Sequence, residues 1–138
     1  MSIHKDFVVK LRGSSLSPTK QRVEICELLV DRDETFHFSI GGLAKMIENR
    51  TKEKISLATI YNTVHALKEK GYLKEIVINS NQSYYDTNIK HHHHFFDETK
   101  NELIDLSEND VNSIEIKKEI PGKKIKSVEV LVRLVEKK

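Results

Sequence analysis

Ser56-Leu57-Ala58-Thr59-Ile60-Tyr61-Asn62-Thr63-Val64-His65-Ala66-Leu67 is followed, past Gly71, by Tyr72-Leu73-Lys74-Glu75-Ile76-Val77-Ile78 and then by Ser83-Tyr84-Tyr85-Asp86. In the first stretch Leu57, Ile60, Val64 and Leu67 recur at helical spacing. Ser56 suits the start of that helix and Gly71 its end. The period then falls to two, with Asn79-Ser80-Asn81 between the two runs as a hairpin signal. A helix delivered directly into a small hairpin is the layout of a winged helix, in which that helix is offered to the major groove of DNA.

Working upstream, Ser17-Pro18-Thr19 opens a helix whose inward face is Val23, Cys26 and Val30, joined by Ile25 and Leu29. Ser39 caps a second helix with Ile40, Leu43, Ala44 and Ile47 on one face. With the buried stripe of the third helix assigned, Thr59, Asn62, Thr63, His65 and Ala66 face outward, flanked by Tyr61. Asn can pair with an adenine edge, and a Thr or Ala methyl can meet a thymine methyl. These residues also make an ordinary solvated helix face. The wing and the basic residues Lys5, Lys10, Arg12, Lys20 and Arg22, opposed in residues 1–22 by Asp6 alone, argue for DNA. The expected DNA-facing set is Arg12, Lys20, Arg22, Ser56, Thr59, Tyr61, Asn62 and His65.

Downstream, residues 91–96 and 102–106 suit strands. Ser107-Glu108-Asn109-Asp110 resembles a capping box opening a short helix with Val111 and Ile114 inward, broken at Ile120-Pro121-Gly122. Val128 to Val135 reads as a last strand with Val128, Val130, Val132 and Leu134 on one face. Three strands and one helix make a thin core, so pairing with a second copy is the natural remedy. The expected class is α+β: a winged-helix DNA-binding domain over residues 1–87, then a small α/β dimerisation domain over 88–138.

Composition narrows the function. The 138 residues include one Cys, which excludes an internal disulfide, a zinc ribbon and a CxxC redox pair. A reduced, cytoplasmic location is the expectation. No apolar run approaches the roughly 20 residues of a membrane span, and Met1 to Lys10 lacks the apolar region of a secretory signal. The net charge of +2 says little by itself; residues 89–138 carry ten basic and ten acidic side chains, so a DNA-facing surface belongs to the N-terminal part.

His91-His92-His93-His94 carries the chemistry. On a strand His92 and His94 share one face and His91 and His93 the other. Two imidazoles at that spacing can converge on one ion, with Asp86 and Asp105 supplying carboxylates and His37 a further nitrogen. Neutral His with carboxylate suits zinc, ferrous iron or manganese. A solvated polar loop is the alternative for the run. Cys26, Tyr84, Tyr85, Phe95 and Phe96 read as packing residues, and Lys123-Lys124-Ile125-Lys126 as a solvated loop.

Leu16-Ser17-Pro18-Thr19-Lys20-Gln21-Arg22, then Ser56 to Thr63, then the His run preceded by Tyr85-Asp86 closely resemble the ferric uptake regulator family in order along nearly the whole chain. The resemblance implies a homodimeric winged-helix repressor that binds double-stranded DNA, with a regulatory metal site of His37, Asp86, His92, His94 and Asp105. It implies a second metal or haem site drawing on His91 and His93, and DNA contacts at Tyr61 and Asn62, where many members carry Arg at the second position. Most members hold a structural zinc with a CxxC pair after the His-rich strand. Here those positions are Asp97 and Lys100, so a four-cysteine zinc is impossible. The stretch Tyr85 to Phe96 with Asn101-Glu102-Leu103-Ile104-Asp105 looks like the iron response regulator branch, which senses haem through the His-rich motif; the N-terminal Cys-Pro haem motif of some members is missing.

The leading expectation is a dimeric transcription regulator of iron and haem homeostasis, its operator two-fold and AT-rich, its signal haem or Fe2+, with Zn2+ or Mn2+ able to enter the same site. A plain divalent-metal or peroxide-sensing repressor is the alternative within the class. A small non-haem metal enzyme is the alternative outside it, disfavoured because no additional nucleophile is clearly placed.

Overall fold

The computed structural model describes residues 19–30 and 32–138. The chain divides into two compact units at the Ile89–Lys90 junction. The N-terminal unit runs α1 (Lys20–Val30), β1 (His37–Phe38), α2 (Ile40–Thr51), α3 (Leu57–Glu69), β2 (Lys74–Asn79) and β3 (Gln82–Asp86). The C-terminal unit runs β4 (His93–Asp97), β5 (Glu102–Leu106), a 3-10 turn (Glu108–Asp110) and β6 (Leu131–Leu134). The architecture is α+β, as expected.

Hydroxyl side chains set the helix starts. The Thr19 hydroxyl accepts the Arg22 amide at 3.3 Å, so Thr19 caps α1; Ser17 and Pro18 lie outside the described residues. Ser39 accepts from the Gly42 amide at 3.0 Å and Ser56 from the Thr59 amide at 3.1 Å. Each bond satisfies an amide that the first helical turn leaves without a partner. At the end of α3 the Tyr72 amide returns to the Leu67 carbonyl at 3.0 Å and the Gly71 amide to Lys68 at 2.9 Å. That closure needs a left-handed residue, and Gly71 supplies it at φ +81°.

The N-terminal core joins Ile25, Cys26 and Leu29 of α1, Leu43 and Ile47 of α2, and Ile60, Val64 and Leu67 of α3, with Phe38 and Tyr85 from the sheet. Three expected positions differ. Val30 is 44% exposed and Leu57 59% exposed, because each lies in a terminal turn of its helix. Thr63, expected to face outward, is fully buried; its hydroxyl donates to the Thr59 carbonyl at 2.8 Å, which removes the cost of burying it. The sheet order is β1-β3-β2, with Glu75 opposite Tyr85 and a two-residue turn at Ser80-Asn81.

In the C-terminal unit the order is β5-β4-β6, with β4 antiparallel to β5 and parallel to β6. β5 carries the chain back along β4, and residues 107–130 then lead to its other edge, where β6 starts in the parallel direction. The expected helix is only the turn Glu108–Asp110, and Ile114 is 42% exposed rather than inward. The last strand is shorter than expected, Leu131–Leu134. At the β4–β5 turn the Asp97 carboxylate accepts the Thr99 and Lys100 amides, each at 3.0 Å.

Candidate metal centre

Strand alternation does the first work. His92 and His94 lean together, ring centroids 4.5 Å apart, while His91 and His93 form a separate edge-on pair at 5.1 Å. The β4–β5 register puts His94 opposite Asp105. One oxygen of Asp105 then lies 3.3 Å from His92 Nε2 and 3.4 Å from His94 Nε2. The ligand atoms of these three residues all fall within 4.8 Å of one another. Metal–ligand bonds of about 2.0–2.2 Å put neighbouring donors about 3.0–3.5 Å apart, so this spacing fits the edges of one coordination shell.

The tautomer points the same way. His92 Nδ1 donates to the Lys90 carbonyl at 2.7 Å. That bond commits Nδ1 and leaves Nε2 as the ring nitrogen facing Asp105, as in a metal-ligating His whose other nitrogen is held by a carbonyl. His94 is buried and His92 largely so, whereas the Asp105 side chain is 60% exposed, which leaves an entry path. The donor set of two imidazoles and a carboxylate suits a borderline divalent ion and excludes a thiolate-preferring one.

In the N-terminal unit, His37 and Asp86 are direct partners on the β1–β3 ladder. Asp86 is 2% exposed and accepts the Asn88 amide at 2.9 Å. The short β1, which makes this pairing, is too brief to leave a period in the sequence.

His91 and His93 are engaged by protein groups. His91 meets Glu108 through Nδ1 and the Val128 carbonyl through Nε2 at 2.9 Å. His93 Nδ1 accepts the Val130 amide at 3.0 Å. Together they pin the approach to β6 against β4. Glu108 was read from sequence only as part of a helix start; the shared position beside the His face comes from the β5 turn, seventeen residues away in the chain.

The DNA-facing candidates separate by role. Arg12 lies outside the described residues. Lys20 is exposed and reaches Glu24 at 4.0 Å and Glu53 at 3.9 Å. Ser56 and Thr59 are joined hydroxyl to hydroxyl at 2.9 Å as part of the cap. Tyr61, Asn62 and His65 are exposed, and Arg22 is half-buried. Leu57, Ala58, Tyr61 and Asn62 line a cleft of about 680 Å³ together with the start of α2, Ser39 to Gly41, and the hairpin tip, Ser80 to Ser83.

Glu75, which the sequence did not single out, ties the base of that cleft. Lys68 Nζ is 3.2 Å from its carboxylate. Burial raises the Glu75 pKa, but hydrogen bonds from Ser83 and Lys68 outweigh it and hold the group below its ordinary value. The same hydrogen bond chiefly raises Lys68. Opposite, Tyr85 is pushed up to about 12, first by burial and then by the charge of Glu75.

The model of the ferric uptake regulator family matches residues 14–134. The chain is 34% identical over 117 residues to the peroxide-responsive repressor PerR of Staphylococcus aureus strain Mu50, covering 80% of this chain and 73% of that one. It is 31% identical over 105 residues to the ferric uptake regulation protein of Synechococcus elongatus, with 75% and 69% covered. The Vibrio cholerae ferric uptake regulator has a similar fold, with a TM-score of 0.68 at 19% identity over 93% of this chain and 98% of that one. No described helix is long and apolar enough to cross a membrane. A winged-helix order, a strand presenting paired histidines to a carboxylate, and a family match over most of the chain lead to one assignment: the chain belongs to the ferric uptake regulator family of metal-responsive, dimeric DNA-binding transcription regulators, and is not an enzyme.

Proposed function

We propose that this chain is an iron-responsive regulator acting in the cytoplasm, whose affinity for a two-fold, AT-rich operator is set by an ion bound at His92, His94 and Asp105. The family resemblance implies His37 and Asp86 as further donors. The observation that carries this reading is the convergence of two imidazole nitrogens on one Asp105 oxygen at 3.3 and 3.4 Å. A bound divalent ion supplies positive charge that satisfies these acceptors together. Zinc and manganese fit the same donors, and divalent affinity trends favour zinc over iron, so the ion that purifies with the protein need not be its signal.

The four histidines and the resemblance to the iron response regulator branch support haem as the form in which iron is sensed. Axial ligands approach haem iron from opposite sides, whereas His92 and His94 lean together. The same-face pair therefore favours a bare ion, and a haem takes one ligand from it. The test is operator binding by metal-stripped protein titrated in parallel with Fe2+, Mn2+, Zn2+ and haem, beside the His92→Ala and His94→Ala variants. A response to Fe2+ or Mn2+ lost in both variants supports the ionic reading. A saturable haem spectrum with a matching change in DNA affinity, and no response to the ions, replaces it with haem sensing.

A further inference from the structure

On α3 the residues Leu57, Tyr61, His65 and Glu69 recur every four positions and form one stripe. The rings of Tyr61 and His65 lie nearly parallel, centroids 5.8 Å apart and planes 12° apart, within the range of offset stacking. Both are about half exposed, so the pair is a surface feature rather than core packing. On its other side His65 Nε2 lies 3.7 Å from the Glu69 carboxylate. The same carboxylate oxygen also faces Lys68 Nζ at 3.5 Å, so the firm neighbour of the imidazole is the phenol one turn before it, one face of which it covers.

We infer that His65 is a positioning residue for DNA reading, which orders the Tyr61 ring for base contact before DNA arrives; this rests on the assignment of α3 as the DNA-facing helix. An exposed tyrosine without a backing ring samples several rotamers, and binding must then order it. A ring stacked on one face presents only its other face and its hydroxyl. Tyr61 lines the cleft between α3 and the hairpin tip together with Leu57 and Asn62. His65 therefore contributes to sequence discrimination without itself having to touch a base.

The test uses full-length protein loaded with Mn2+ and a duplex selected by it from a randomised library, with an unselected duplex as reference. His65→Ala is expected to weaken binding to the selected duplex about 2- to 10-fold, leaving the unselected duplex and the salt slope unchanged. His65→Phe keeps the stack without the imidazole and is expected to restore the affinity. If His65→Phe is as weak as His65→Ala and the salt slope falls by about one, His65 is a phosphate contact and the inference fails. If His65→Ala binds as the parent does while Tyr61→Ala loses the selected duplex, Tyr61 needs no positioning and the inference fails alone. If Tyr61→Ala also binds as the parent does, the DNA-facing role of this part of α3 fails with it.

Discussion

His94 stands directly opposite Asp105 across the β4–β5 ladder, its Nε2 3.4 Å from the carboxylate oxygen that His92 also faces. The position is set by backbone register, which brings these donors together. His94→Ala and Asp105→Asn are each expected to lower divalent-metal affinity by about 100-fold or more, since even groups that only orient a ligand cost about 10–100-fold when removed. Competition against a chromogenic chelator measures this, and parental affinity in both variants would sink the assigned site.

Metal removal should also read out as stability. An ion held at about 100 times its Kd stabilises the form that binds it by about 2.7 kcal/mol. For a domain of this size that is on the order of 10 °C in Tm. Calorimetry with and without chelator checks it, and the gain should be absent in His94→Ala.

Ile60 and Leu57 sit in the same stripe of the sequence, yet Ile60 is fully enclosed and Leu57 is 59% exposed. Ile60→Ala is expected to cost the N-terminal unit about 2–5 kcal/mol, as emptied core sites do. Leu57→Ala should stay within about 0.5 kcal/mol of the parent. Urea unfolding of the two variants side by side decides it, and similar losses would contradict the burial described above.

The base of the α3–hairpin cleft gives stability two pH edges of opposite sign. Glu75 is held below its usual value of 4.5, so its contribution is present above pH 4.5 and is lost as pH falls through the lower native value. Tyr85 is pushed from 10.0 to about 12, so its contribution is complete below pH 10 and is lost as pH rises from there through about 12. Glu75→Gln should flatten the acid edge and Tyr85→Phe the alkaline one in a pH series of chemical denaturation. The partly exposed Lys68–Glu75 pair limits the effect of breaking it to about 1 kcal/mol or less.

Gly71 ends α3 at φ +81° with open space where a Cβ would stand. Gly71→Ala therefore tests backbone strain alone, and the expected loss is about 1–2 kcal/mol. A thermal melt that matches the parent would show that the helix end can rearrange without cost.

The parts of the fold that were legible in the sequence are those written in local periodicity and capping. Ser39, Ser56 and Gly71 marked helix ends because each supplies a group that the backbone there lacks. The His92–His94 pairing was legible because alternation on a strand is geometric. Thr63 misled because its hydroxyl is satisfied inside its own helix, so a polar residue type concealed an inward position. Leu57 misled because a stripe carries no information about where the core stops. The β1–β3 pairing of His37 with Asp86, the parallel β4–β6 ladder and the approach of Glu108 to His91 depend on contacts distant in the chain, which no local pattern records.

The turn after β4 has a consequence for how the C-terminal unit meets chelators and oxidants. At this corner one carboxylate, Asp97, grips two amides of its own loop. The single sulfhydryl, Cys26, is enclosed in the other unit. The hairpin is thus closed by groups of the chain itself, and residues 90–138 hold neither Cys nor Met for an oxidant to attack. Chelation or oxidation therefore leaves the closure of this hairpin to the same carboxylate and the same two amides.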